Sequence, residues 1–205
     1  GALQELEQLA LKPTTTNMLK AVDSGDRSRV LLYIRAGLPI DIRDDRDWTP
    51  LMLAAFNGDE QMAKLLILHG ANVSAQDRDG YTPLHWSAFN GYKGVVHLLL
   101  EKGVNRDVKS NHGWTPMLQA ASKGHVAVIN LLLDARADPN LASQDGWTPL
   151  HKAVANRHKQ AVAVLLDAGA SVLARHDDES TPLSLAVKAN DPDILGMIRR
   201  KAKTE

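Results

Sequence analysis

Short aliphatic runs recur along the chain: KLLIL at Lys64–Leu68, HLLLE at His97–Glu101, NLLLD at Asn130–Asp134 and VLLDA at Val164–Ala168. Each follows a segment built around a small pair: Ala54–Ala55, Ser87–Ala88, Ala120–Ala121 and Ala153–Val154, with a fifth pair at Ala186–Val187. Before each small pair stands Thr-Pro: Thr49–Pro50, Thr82–Pro83, Thr115–Pro116, Thr148–Pro149 and Thr181–Pro182, always 33 residues apart. One step further back falls on Thr16–Asn17, a degenerate copy. Gly25, Gly58, Gly91 and Gly124 follow the small-pair segments, and Gly37, Gly70, Gly103 and Gly169 follow the aliphatic ones. The pattern predicts helix, turn, helix, loop in every unit. Thr caps the first helix and Pro takes its first position, where a missing N–H costs nothing. Glycine suits the left-handed residue that ends each helix. One unit has a single apolar side and cannot bury it alone, so the units must stack.

The pattern is carried most fully by DGYTPLHWSA at Asp79–Ala88, DGWTPLHKAV at Asp145–Val154 and LLLEKGVNRDV at Leu98–Val108. It resembles the ankyrin repeat over roughly residues 14 to 201. The resemblance implies an all-α fold, a curved solenoid of antiparallel helix pairs with β-hairpin-like loops projecting from one edge. The expected organisation is a single domain over residues 1–205 with six repeats, at about 11–43, 44–76, 77–109, 110–142, 143–175 and 176–205. The first and last read as caps: Asn17 replaces Pro, and Glu179 and Ser180 replace Gly and an aromatic before a basic end at Arg199–Lys201. The opening GALQELEQLALK reads as a short amphipathic stretch, and a first residue of Gly suggests a piece of a longer chain. Arg136 and Arg157 stand where Gly is expected, and Asp47 takes a loop Gly position. A left-handed non-glycine residue costs on the order of 1 kcal/mol, so local rearrangement or lower stability is expected at the two arginines.

In the resembled family the concave face comprises the hairpin edge and the first helices, and the residue before Thr faces that side. That position holds Trp48, Tyr81, Trp114 and Trp147. Trp86 lies four residues after Thr82, on a neighbouring part of the helix surface. The two residues before the inter-helix Gly are Phe56–Asn57, Phe89–Asn90 and Ser122–Lys123, with Ala155–Asn156 in the fifth unit. Two readings stay open: the rings cover the seam between repeats, or they form an exposed recognition row, Trp and Tyr being common interface hot spots. On the second reading Trp48, Phe56, Tyr81, Trp86, Phe89, Trp114 and Trp147 contact a partner. Asn57, Asn90 and Asn156 bond its backbone and Lys123 joins them. Asp45, Asp47 and Asp79, on acidic loop tips, favour a basic segment of it.

Composition narrows the function. Lys plus Arg equals Asp plus Glu at 24 each, so no charge excess points to nucleic acid or anionic membrane. Apolar runs such as AVAVLL at Ala161–Leu166 are too short to span a bilayer. There is no cysteine, which excludes disulfides, thiol catalysis and thiolate zinc sites. His85 and His151 belong to the repeat motif and are expected to clasp the Thr hydroxyl and loop backbone. No catalytic residue, metal site or cofactor is expected. The function read from the resemblance is a non-enzymatic, intracellular (cytoplasmic or nuclear), monomeric module binding a protein or peptide segment on its concave face. One alternative is a regulatory or spacer domain of a larger enzyme or scaffold. Another is a methyl-lysine reader, because Trp48 and Trp86 are similar in position to cage residues of certain histone methyltransferase ankyrin domains. Leu53 and Phe56 depart from that cage, standing where it has Trp and Glu.

Overall fold

The computed structural model describes residues 1–204. Thirteen helices and no strand occur among them. The first helices of successive pairs are α2 (Thr15–Asp23), α4 (Pro50–Asn57), α6 (Pro83–Asn90), α8 (Pro116–Lys123), α10 (Pro149–Ala155) and α12 (Pro182–Ala189). The second helices are α3 (Arg27–Arg35), α5 (Glu60–Leu68), α7 (Lys93–Glu101), α9 (Val126–Asp134), α11 (Lys159–Asp167) and α13 (Pro192–Ala202). First helices pack on first helices and second on second, giving two rows side by side.

Local chemistry starts the first helices α4, α6, α8, α10 and α12 as the sequence predicts, whereas α2 is capped by Thr14, two residues before the expected Thr16. The hydroxyls of Thr49, Thr82, Thr115, Thr148 and Thr181 accept N–H bonds from the third helical residue, and Pro fills the first position each time. Between the rows runs one continuous core. Leu51, Leu84, Met117 and Leu150 enter it from the first row, and Leu66, Leu99, Leu132 and Leu165 from the second, all almost fully buried. Small residues such as Ala54, Ala88, Ala121 and Ala153 let the first helices approach closely.

The loops form a ladder along one edge. Each closes on itself by a bond from its first N–H to the carbonyl of the residue before Thr: Asp77 to Tyr81, Ser110 to Trp114, Ser143 to Trp147, each at 2.9 Å. Each also bonds to its predecessor, Asn111 N–H to Asp79 O at 2.9 Å and Gln144 N–H to His112 O at 3.0 Å. Loop and repeat are thereby locked in register.

Two expectations change. The opening stretch forms a helix, α1 (Ala2–Gln8), that packs on α3. It ends as the second-row helices do, with left-handed Ala10 and a Leu11 N–H to Leu6 O bond of 2.8 Å, matching Ala71 N–H to Leu66 O at 3.0 Å. It is therefore a further member of the second row. The arginines cause no rearrangement: Arg136 and Arg157 adopt φ 63° and 58°, and their N–H groups make the closing bonds that glycine makes elsewhere.

Candidate functional site

The aromatic positions fall into two groups on the first row and its loops. In the first, Trp48, Phe56 and Trp86 meet with ring centroids 4.8 Å (Trp48–Trp86), 5.3 Å (Trp48–Phe56) and 5.8 Å (Phe56–Trp86) apart. Tyr81 joins at 5.2 Å and Phe89 at 6.2 Å from Trp86. Tilted and edge-on contacts of this kind suit the ring quadrupoles. Trp48 is 7% exposed and rests with Met52 and Ala75 in a small core of its own, so its main role is packing. The other four rings are half-buried. The Trp86 indole N–H is satisfied by buried Asp77 at 3.2 Å, and the same carboxylate accepts the N–H groups of Asp79 and Tyr81.

The second group is Trp114 and Trp147, bridged by Lys152. Its ammonium lies 5.1 Å from one ring centroid and 3.9 Å from the other. Partial burial pushes the Lys152 amine down from its usual range. His176 also packs on Trp147, with ring centroids 4.4 Å apart. Trp147 thus has neighbours that its sequence context did not show.

Cations of the chain itself lie over several of these rings. Besides Lys152, Arg46 stacks on Trp48 at 4.3 Å and Lys123 on Phe89 at 4.7 Å. Arg46 is also paired with Asp44 at 2.7 Å. Burial raises the Asp44 carboxyl, but bonds from Arg46 and Trp48 outweigh it and hold the group below its usual value. A basic partner segment would have to displace these resident cations from the rings. Asp45 and Asp79 are exposed at the loop tips, and Asp47 serves the backbone through a left-handed turn of φ 61°.

Trp48, Phe56 and Trp86 are in mutual contact, and the cation over Trp48 is the chain's own Arg46.

The asparagines also serve the stack. The side-chain amide of Asn90 donates to Phe56 O, that of Asn156 to Ser122 O and that of Asn57 to Asp23 Oδ1, each at 2.8 Å. The last carbonyls of a helix lack intrahelical donors, and the next repeat supplies one. Each amide nitrogen therefore gives one of its two N–H groups to the stack. Where Lys123 replaces Asn, Phe89 O is met by His125 Nε2 at 2.9 Å, and the lysine is released onto the Phe89 ring.

Sequence reasoning missed Arg46, Lys152 and His176 as members of the site. Lys152 had a signal, since it stands four residues after Thr148 as Trp86 stands four after Thr82. No helix among the described residues is long and apolar enough to cross a membrane. The family model of ankyrin repeats (3 copies) matches residues 18–110, 76–143, 94–176 and 117–203 in overlapping spans. Comparison with curated proteins gives no match.

Proposed function

Because the chain belongs to the ankyrin-repeat family, a fold that generally serves protein–protein interaction and is typically non-catalytic, we propose that it grips a segment of a partner protein along its first-helix row. The patch formed by Phe56, Tyr81, Trp86 and Phe89 over buried Trp48 is the anchor. One observation carries this reading: four large rings merge into a single half-exposed surface where the fold does not require rings. The same register holds Ser122 in place of Phe89 and Lys152 in place of Trp86, in helices that cap and pack equally well. Half-exposed aromatics of this kind yield large contact area at low entropic cost and supply most interface hot spots.

The test is a photo-crosslinking residue introduced at Phe89 and, separately, at Leu68, which is exposed on the second row. The partner is expected to be captured from position 89 and not from 68. Capture from 68 alone places recognition on the opposite row and overturns the proposal.

A further inference from the structure

The partner's charge can be read from the other end of the same row, and the inference rests on the first-row reading above. Among the described residues, Lys123, Lys152 and Lys188 have no carboxylate at ion-pair distance. All three stand on consecutive first helices, α8, α10 and α12. Lys152 is held in place, its stem half-buried and its ammonium fixed by Trp114 and Trp147. The loop-tip acid Asp145 attracts Lys152 through space but does not pair with it, and its direct contacts are the Ser143 hydroxyl and His176 at 3.7 Å. Asp178 is likewise bonded to His176, at 2.8 Å. A pre-positioned, partly desolvated ammonium loses little entropy on meeting a carboxylate and binds it more strongly than a free surface lysine does.

We propose that α8, α10 and α12 receive an acidic side chain of the partner segment, with Lys152 as its anchor and Lys123 and Lys188 as flanking charges. Geometry sets the ligand pattern. Packed helices lie about 8–10 Å apart, so α10 stands roughly 16–20 Å from α6 and its aromatic patch. An extended chain advances about 3.3 Å per residue. The acidic residue therefore lies about five or six residues from the apolar residue that covers Trp86.

A random peptide library displayed on phage tests this, selected in parallel on the wild-type chain, Lys152→Glu and Trp86→Ala. Wild type is expected to enrich peptides that pair an apolar residue with Asp or Glu at that spacing. Lys152→Glu is expected to keep the apolar preference and lose or reverse the acidic one. A synthetic copy of an enriched peptide should bind Lys152→Met about tenfold more weakly. Methionine keeps the stem packed on the two rings, and an unchanged melting temperature checks that the fold is intact. Enriched peptides that are neutral or basic at that spacing overturn the inference, as does equal binding by Lys152→Met. If binding falls in Trp86→Ala but not in Lys152→Met, the acidic anchor alone is wrong. If Trp86→Ala binds as wild type does, the first-row reading itself fails.

Discussion

His85 Nε2 lies 2.8 Å from the carbonyl oxygen of Trp114, while its Nδ1 accepts the N–H of Thr82 at 3.1 Å. The two bonds together require the neutral ring with its proton on Nε2, as inferred from the donor pattern. The ring is fully buried. Burial pushes its pKa down from 6.5 to about 4. The unfolded chain takes up a proton near pH 6.5 that the folded chain refuses until about pH 4. The contribution to stability is therefore complete above the unfolded value and is lost as pH falls through this window, by up to about 3 kcal/mol. His151, clasped by Thr148 and Ser180 O and also lowered by burial, acts in the same direction. Denaturant titrations across this pH range should show stability falling on acidification, with a shallower fall in His85→Gln. An identical slope in the variant would show that His85 is not the source.

Trp48 and Trp86 touch, yet their substitutions should separate. Trp48 is almost wholly inside, so Trp48→Ala should cost about 3–5 kcal/mol of stability through lost burial and a cavity. Trp86 leaves a face in solvent, so Trp86→Ala should cost less stability and weaken partner binding by about 2 kcal/mol or more. Thermal melts beside a binding isotherm check the split. Equal destabilisation by both, with no binding loss in Trp86→Ala, would make the rings seam packing and nothing more.

Gly91 and Gly103 share a left-handed backbone, φ 79° and 76°, but not their surroundings. A Cβ on Gly91 would fall 2.5 Å from His125 Nδ1, and one on Gly103 meets nothing within 4 Å. Gly103→Ala should therefore cost about 1 kcal/mol from backbone strain alone. Gly91→Ala must in addition push the His125 ring off its bond to Phe89 O, and should cost roughly 1–3 kcal/mol more. Comparable denaturation midpoints for the two variants would contradict this.

The repeat grammar was legible because it rests on local conformational preference and short-range hydrogen bonds. Thr capping, Pro at the first helical position and Gly after a helix act within a few residues of themselves, and their spacing survives in the sequence. The positions of the aromatics followed from the same spacing. What lay across the stack was not legible. The Asn90 to Phe56 O bond and the Lys152 bridge from Trp147 to Trp114 depend on how far one helix stands from the next. A ring flagged as a partner contact, Trp48, became core because Met52 and Ala75 close over it. Helix α1 was legible only as an amphipathic stretch, because no Thr-Pro first helix precedes it to fix its place in the second row.

Arg136 and Arg157 test how left-handed strain is offset. Each holds the closing position of a helix with positive φ, and each was expected to loosen its repeat. Their backbone bonds are intact, Arg136 N–H to Leu133 O at 2.8 Å and Arg157 N–H to Val154 O at 3.0 Å. The difference lies in the side chains. The Arg157 guanidinium reaches the next repeat and donates to Ala189 O at 3.0 Å, a last-turn carbonyl of α12. Among the described side-chain hydrogen bonds and ion pairs, the Arg136 guanidinium makes none, although its carbonyl accepts from Arg106 at 3.2 Å, a bond that any residue there preserves. Arg136→Gly should thus stabilise the chain by about 0.5–1 kcal/mol, strain relief exceeding the added freedom of the unfolded glycine. Arg157→Gly gains the same relief but forfeits a bond of about 1 kcal/mol, so its net change should lie near zero. Denaturation midpoints of the two variants measured together decide the matter. A larger gain at position 157 than at 136 would mean that the cross-repeat bond contributes nothing in solution.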